Sequence, residues 1–156
     1  MGMPNWQVRE SNCLLQLGVL LLLFSMLLGI VLGTSVSAFS TRLLGLSAHL
    51  IALLEGLFLL LIGLLWPKLK LTRRASQIAF WIALYSCLVG SLASVFVAVS
   101  GADCAMRIAA QKPACEFGED IFIQAIFYTV AVTTIALMGF ILWGLRAAAA
   151  EQTRDG

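Results

Sequence analysis

Four long apolar runs leave this chain few ways to fold. Each extends over roughly the 20 residues that a helix needs to cross a bilayer. The first covers residues 13–33, the second 46–66, the third 78–100 and the fourth 121–145. Backbone groups in lipid have no water to bond, so such spans must be helices. A β-barrel is excluded, because its strands would alternate apolar and polar positions. The expected fold is therefore an all-α integral membrane protein, a bundle of four transmembrane helices forming one domain over residues 1–156. Composition agrees: 61% of the residues are hydrophobic and only 12% are charged. A net charge of +2, spread along the chain, gives no nucleic-acid-binding stripe.

The N-terminal segment "MGMPNWQVRESN" carries one Arg and one Glu, and the apolar run behind it is too long for a signal peptide. It reads as a retained helix. Orientation follows from the basic residues. Arg9, Lys68, Lys70, Arg73, Arg74, Arg146 and Arg154 share one side, against Arg42, Arg107 and Lys112 on the other. The positive-inside rule then predicts cytoplasmic termini in a multi-pass protein of the inner membrane. Trp66, Trp81 and Trp143 fall at the cytoplasmic helix ends and read as an interfacial belt.

In the outer loop, residues 101–120, Cys104 and Cys115 lie eleven residues apart. On the oxidising side of a membrane they are expected to form a disulfide, with two free thiols as the alternative. Cys13 and Cys87 lie within helices and read as small packing residues. The Gly29–Gly33 pair makes a GxxxG pattern, a hint of close helix packing.

The second helix contains "GLSAHLIALLEG", with the only histidine of the chain, His49, and an acid, Glu55. Ionisable groups inside a span mark function by default. Glu55 lies about 9 Å deeper than His49 and about 120° around the helix from it. A small ligand held by one narrow face would not meet both. Ala52 and Gly56 share the face of His49, which leaves two readings open. They form a flat groove where a planar cofactor lies with His49 as axial ligand, or they make a small-residue helix contact with His49 hydrogen-bonded to a neighbour. Glu55 is either a reactive carboxyl or a neutral acid bonded to hydroxyls of the third or fourth helix. With one histidine, a haem would keep an open or weakly filled sixth position, which suits Lewis-acid chemistry better than electron transfer.

"LGLSAHLIALLEGLFLLLIGLLWPKLKLT", "YSCLVGSLASVFVAVSGA" and "ALMGFILWGLR" together resemble the hydroxylaminobenzene mutases over most of residues 43–146. The second helix, with its GLS-x-HL start and W-P-basic exit, is the most specific part. More distantly the chain is similar to styrene oxide isomerase, whose FG..DIF run is echoed by Phe117–Phe122. The resemblance implies a homotrimer with haem b between subunits and His49 on the iron. It also implies rearrangement of an N-arylhydroxylamine to an aminophenol. Glu55 would act on the developing charge and the ring proton, with Tyr85 and Tyr128 orienting the substrate. Two departures stand out: the family has Asn where this chain has Glu55, and tends to have Asn near Gly90. They imply a different arylhydroxylamine, for example one with a ring carboxylate, or a changed or lost activity. The competing classes are a non-enzymatic four-span subunit of a membrane complex and an electron-transfer haem protein.

Overall fold

A computed structural model describes residues 5–34, 39, 42–100 and 121–152. It contains four long helices: α1 (Asn5–Thr34), α2 (Arg42–Leu65), α3 (Arg73–Ser100) and α4 (Ile121–Gln152). All four are long and apolar enough to cross a membrane. The chain is thus an all-helical, multi-pass membrane protein. α1 and α3 begin several residues earlier than hydropathy places them, because their first turns are polar but still helical. At 30 residues, α1 is about 45 Å long and overreaches a hydrocarbon core of about 30 Å.

Each helix packs mainly on its neighbour in sequence: α1 on α2, α2 on α3, and α3 on α4. α3, with contacts on two sides, is the most buried span, and α4 is the least. Between α1 and α2 the seam is regular. Gln7, Ser11, Leu14, Gly18, Leu21 and Ser25 recur at alternating steps of four and three and are buried, the spacing of a left-handed helix pair. α2 answers with Gly45, Ala48, Ala52, Gly56, Leu59 and Gly63. At Gly56 a Cβ would stand 3.0 Å from the Leu22 amide nitrogen and 3.1 Å from the Gly18 carbonyl. Only glycine allows that backbone approach. The GxxxG pair contributes differently: a side chain at Gly33 would meet open space, whereas Gly29 faces His49.

Two apolar clusters form the interior. One joins Leu14, Leu59, Ile62, Ala83, Leu137 and Ile141 around Trp66. The other joins Leu44, Ala48, Val97, Ala98 and Ile123 around Phe39. In every helix the residues between them include small or polar ones, so a polar layer crosses the bundle at mid-height.

A clasp closes the end of the molecule where α2 turns into α3. Pro67 stops α2 by withholding an amide hydrogen, and Trp66–Lys68 form a 3-10 turn. The Gln7 amide donates to the Trp66 carbonyl at 2.8 Å and the Leu69 carbonyl at 3.0 Å. Trp66 Nε1 donates to Glu10 at 3.0 Å, and Ser76 donates to the same oxygen at 2.6 Å. Thr72 then caps α3, its hydroxyl accepting from the Ala75 amide at 3.4 Å. Trp66 is therefore no belt residue. It is 1% exposed, packed edge-on against Phe80 and tied to α1 by its indole. Trp81 and Trp143 are exposed on the bundle surface, where a belt residue belongs.

Gly56→Val is expected to wedge α1 from α2 and to lower stability by about 1–3 kcal/mol, the usual range for overpacking. Gly33→Val is expected to change it by less than about 0.5 kcal/mol. Unfolding in mixed micelles with increasing denaturing detergent checks both.

Candidate functional site

His49 and Glu55 sit on the same helix and face different neighbours. His49 is in the eighth position of α2, about 10 Å along it, and turns toward α1. Its Nδ1 lies 2.7 Å from the Ser25 backbone carbonyl. A carbonyl accepts and does not donate, so Nδ1 carries the hydrogen. The Ser25 hydroxyl lies 3.1 Å from Nδ1 and itself donates to the His49 carbonyl at 2.9 Å. Both strands of this exchange join one turn of α1 to one turn of α2. Gly29 supplies the seat: a Cβ there would stand 3.0 Å from Cε1, 3.3 Å from Nδ1 and 3.6 Å from Nε2. The ring rests on that glycine, half-buried, with its tautomer set.

A fixed Nδ1–H leaves the lone pair on Nε2, and no hydrogen bond among the described residues occupies that atom. This is how metal-binding histidines are commonly oriented, with the second nitrogen bonded to a carbonyl. Among the described residues no group of three or more His, Cys, Asp or Glu gathers to hold a bare metal ion. A single imidazole ligand instead matches a metal whose remaining positions are filled by a macrocycle. The residues around His49 fit a haem ligand on those grounds.

The groove read between Ala52 and Gly56 is filled. Ala52 is fully buried, and Gly56 meets the α1 backbone. The small-residue helix contact accounts for both residues, because α1 fills the space on that face, and a planar group would have to meet His49 from its Nε2 side instead. What flanks the imidazole is Ser25 and Gly29 of α1, which sequence reading left out. A signal was present. Ser25 continues the alternating four–three spacing of the α1 seam, and hydroxyl residues on such seams bond across helices.

Glu55 turns toward α3. Its Oε2 accepts a hydrogen bond from Ser91, and its Oε1 lies in the space that a side chain on Gly90 would fill. The two departures from the mutase pattern, Glu55 and Gly90, are therefore one contact. A longer acid on α2 is accommodated by a missing side chain on α3. Ser91 is itself buried, and Ser94 donates to its carbonyl at 2.8 Å.

Beside this contact opens a cleft of about 360 Å³, lined by Leu54, Glu55, Phe58, Ser86, Cys87 and Thr134. It lies among α2, α3 and α4 and joins a carboxyl to aromatic and aliphatic walls. Tyr85 and Tyr128 do not line it. Tyr85 bonds Thr129 at 3.0 Å across α3 and α4, and Thr129 donates to the Ile126 carbonyl at 2.8 Å, so the tyrosine is the donor. Tyr128 is 74% exposed on the outer side of α4. Cys13 and Cys87 carry free thiols. Cys104 and Cys115, with the rest of residues 101–120, lie outside the described residues.

Comparison with known proteins supplies the family. Residues 10–146 match the styrene oxide isomerase family. The chain belongs to that family. It is also 34% identical to hydroxylaminobenzene mutase HabB of Ectopseudomonas oleovorans over 153 residues, spanning 97% of this chain and 91% of that protein. No solved structure matches the chain. The protein is thus a multi-pass membrane member of a family of isomerases and mutases. His49, Ser25, Gly29, Glu55, Gly90 and Ser91 all lie within the matched region.

Glu55 and Ser91 are expected to be energetically coupled. In a double-mutant cycle of Glu55→Gln and Ser91→Ala, the coupling should fall near 0.6–2 kcal/mol, the range for interhelical hydrogen bonds in membranes. Detergent-titration unfolding measures it. Gly29→Leu is expected to displace the imidazole while leaving the rest of the bundle folded. The His49 ring resonances in NMR spectra would then lose the signature of a bonded Nδ1–H.

Proposed function

We propose that the protein is a haem-b-dependent membrane mutase. It rearranges an N-arylhydroxylamine, of the hydroxylaminobenzene type, to an aminophenol. The observation that carries this reading is the locked His49 tautomer: Nδ1–H is held by the Ser25 carbonyl, and Nε2 is left as a ligand. The named relative, a hydroxylaminobenzene mutase, supports the choice of substrate. His49 would hold the haem, with Ser25 and Gly29 fixing its ring. Bound there, the iron would supply Lewis acidity toward the N–OH oxygen.

The remaining work falls to the protein. Leu54 and Phe58 take the aromatic ring and exclude water, which strengthens every charge interaction in the site. Glu55 stabilises the positive charge that develops on the aryl nitrogen as the N–O bond breaks. When the new C–O bond has formed, Glu55 accepts the proton from that ring carbon, and the proton returns to the nitrogen. Substrate and product are isomers, so no external reductant or oxidant enters. Ser91 keeps the carboxyl oriented throughout.

His49 faces α1 and Glu55 faces α3, so a junction between copies of the chain is part of the proposal. A homotrimer with haem at its interfaces, as the resemblance implies, would serve. The exposed apolar face of α4, with Val132, Ile135 and Leu142, is available for such a contact. The basic residues support cytoplasmic termini and residence in the inner membrane.

Protein purified after haem-replete expression is expected to show a Soret band that His49→Ala loses or shifts. Colourless wild-type protein would count against the reading and favour a non-enzymatic membrane subunit. Glu55→Gln is expected to retain the Soret band and to lower kcat by about 10²–10⁴-fold, the usual contribution of a general base. Full activity in that variant would remove the acid from the chemistry.

A further inference from the structure

We infer that the Glu55 cleft selects aromatic substrates bearing a hydrogen-bond donor on the ring, an amino or hydroxyl group, and rejects those bearing a ring carboxylate. This deepens the mutase reading and rests on it for the reaction, though not for binding.

The inference comes from following the protons. The cleft is lined by four polar groups: Glu55, Ser86, Cys87 and Thr134. Thr134 donates its hydroxyl proton to the Val130 carbonyl of its own helix at 2.8 Å. Ser86 donates to the Ala83 carbonyl at 3.3 Å. The neighbouring Ser91 donates to Glu55 itself. The hydroxyls thus spend their protons within the bundle and offer a ligand their lone pairs, and Glu55 in its ionised form adds accepting oxygens of its own. Cys87 is a weak donor at best. The cleft is a ring of acceptors in an apolar wall.

With Glu55 ionised, such a site is best satisfied by a ligand that brings hydrogens. An amino or hydroxyl substituent does so and makes a strong bond to a carboxyl oxygen. A ring carboxylate brings acceptors and a negative charge into a setting of low dielectric, where it finds neither a cation nor a strong donor. Space permits the substituent. A cavity of about 150 Å³ holds benzene, and this cleft is about 360 Å³. Gly90 adds to that room, since any side chain there would drive the Glu55 carboxyl from its place.

The test uses the full-length protein in lipid nanodiscs, with two readouts. The first is affinity for unreactive probes, diaminobenzene against aminobenzoate, by ligand-induced thermal shift. The second is kcat/KM for the matching amino- and carboxy-substituted hydroxylaminobenzenes. Diaminobenzene is expected to bind at least about tenfold more tightly than aminobenzoate, the scale of one hydrogen bond to a charged group. Turnover should follow the same order. Thr134→Val, which removes one acceptor and keeps the shape, is expected to reduce the ratio. Glu55→Gln, which replaces an accepting oxygen by a donor, is expected to bring it within about threefold. Equal or tighter binding of aminobenzoate by the wild type would overturn the inference, as would a ratio unchanged in both variants. Selective binding without turnover of any hydroxylamine would instead remove the mutase reading and leave the selectivity intact.

Discussion

In a bilayer the lipid tails are as apolar as leucine, so the hydrophobic effect does little to bring two helices together. The pairing of α1 with α2 rests on another force, close packing made possible where Gly18 meets Gly56. Once the backbones approach there, polar groups on both sides of that point come within reach of one another. On one side Ser25 meets His49. On the other Ser11 donates to the Gly63 carbonyl at 2.8 Å, and Gln7 reaches the turn after α2. Each bond would be weak alone. Together they fix the rotation of α2 about its axis, and that rotation decides which way both ionisable groups point.

The rotation has a chemical consequence. α2 packs chiefly against two neighbours, α1 and α3, on different sides. His49 is given to α1, which sets a tautomer. Glu55 is given to α3, which holds a carboxyl by one serine and admits it by one glycine. The two groups are thereby kept from neutralising each other, which a histidine and an acid on one face would do. Under the proposed function a ligand imidazole keeps its lone pair for the metal, and an acid that handles a proton stays out of an ion pair. Separation around the helix meets both requirements.

Much of this was legible in the sequence, because hydropathy reports on lipid directly. Four spans, their approximate limits and the angle between His49 and Glu55 follow from run length and helical geometry. The faces were harder. Hydropathy cannot tell a helix surface that meets lipid from one that meets another helix, since both are apolar. Ala52 and Gly56 were therefore open to two readings, and packing against α1 is what fills the groove. Trp66 misled for the same reason: a tryptophan at a helix end usually faces the interface, and here an acid of α1 draws its indole inward. The more informative signal was the spacing of Gln7, Ser11, Gly18 and Ser25, whose residue types alone look unremarkable. Periodicity within an apolar run carries the packing, where average hydropathy does not.

Gly90 and Glu55, the two departures that the sequence resemblance implies, come together in one contact. A glutamate is one methylene longer than the asparagine that the resemblance implies at position 55. Placed against a side chain on α3, its carboxyl would overlap that side chain or turn out toward lipid, where a carboxyl finds no partner. With glycine at position 90 the extra length is absorbed between the helices, and Ser91, one residue further along α3, supplies the hydrogen bond. Either change alone is unfavourable: the acid without the glycine is crowded, and the glycine without the acid leaves a void beside buried Ser91. Glu55 and Gly90 thus act as a pair, and the carboxyl they place lends oxygens to the cleft. The chemistry at this layer of the bundle therefore follows from packing, because the acid is present only where α3 makes room for it.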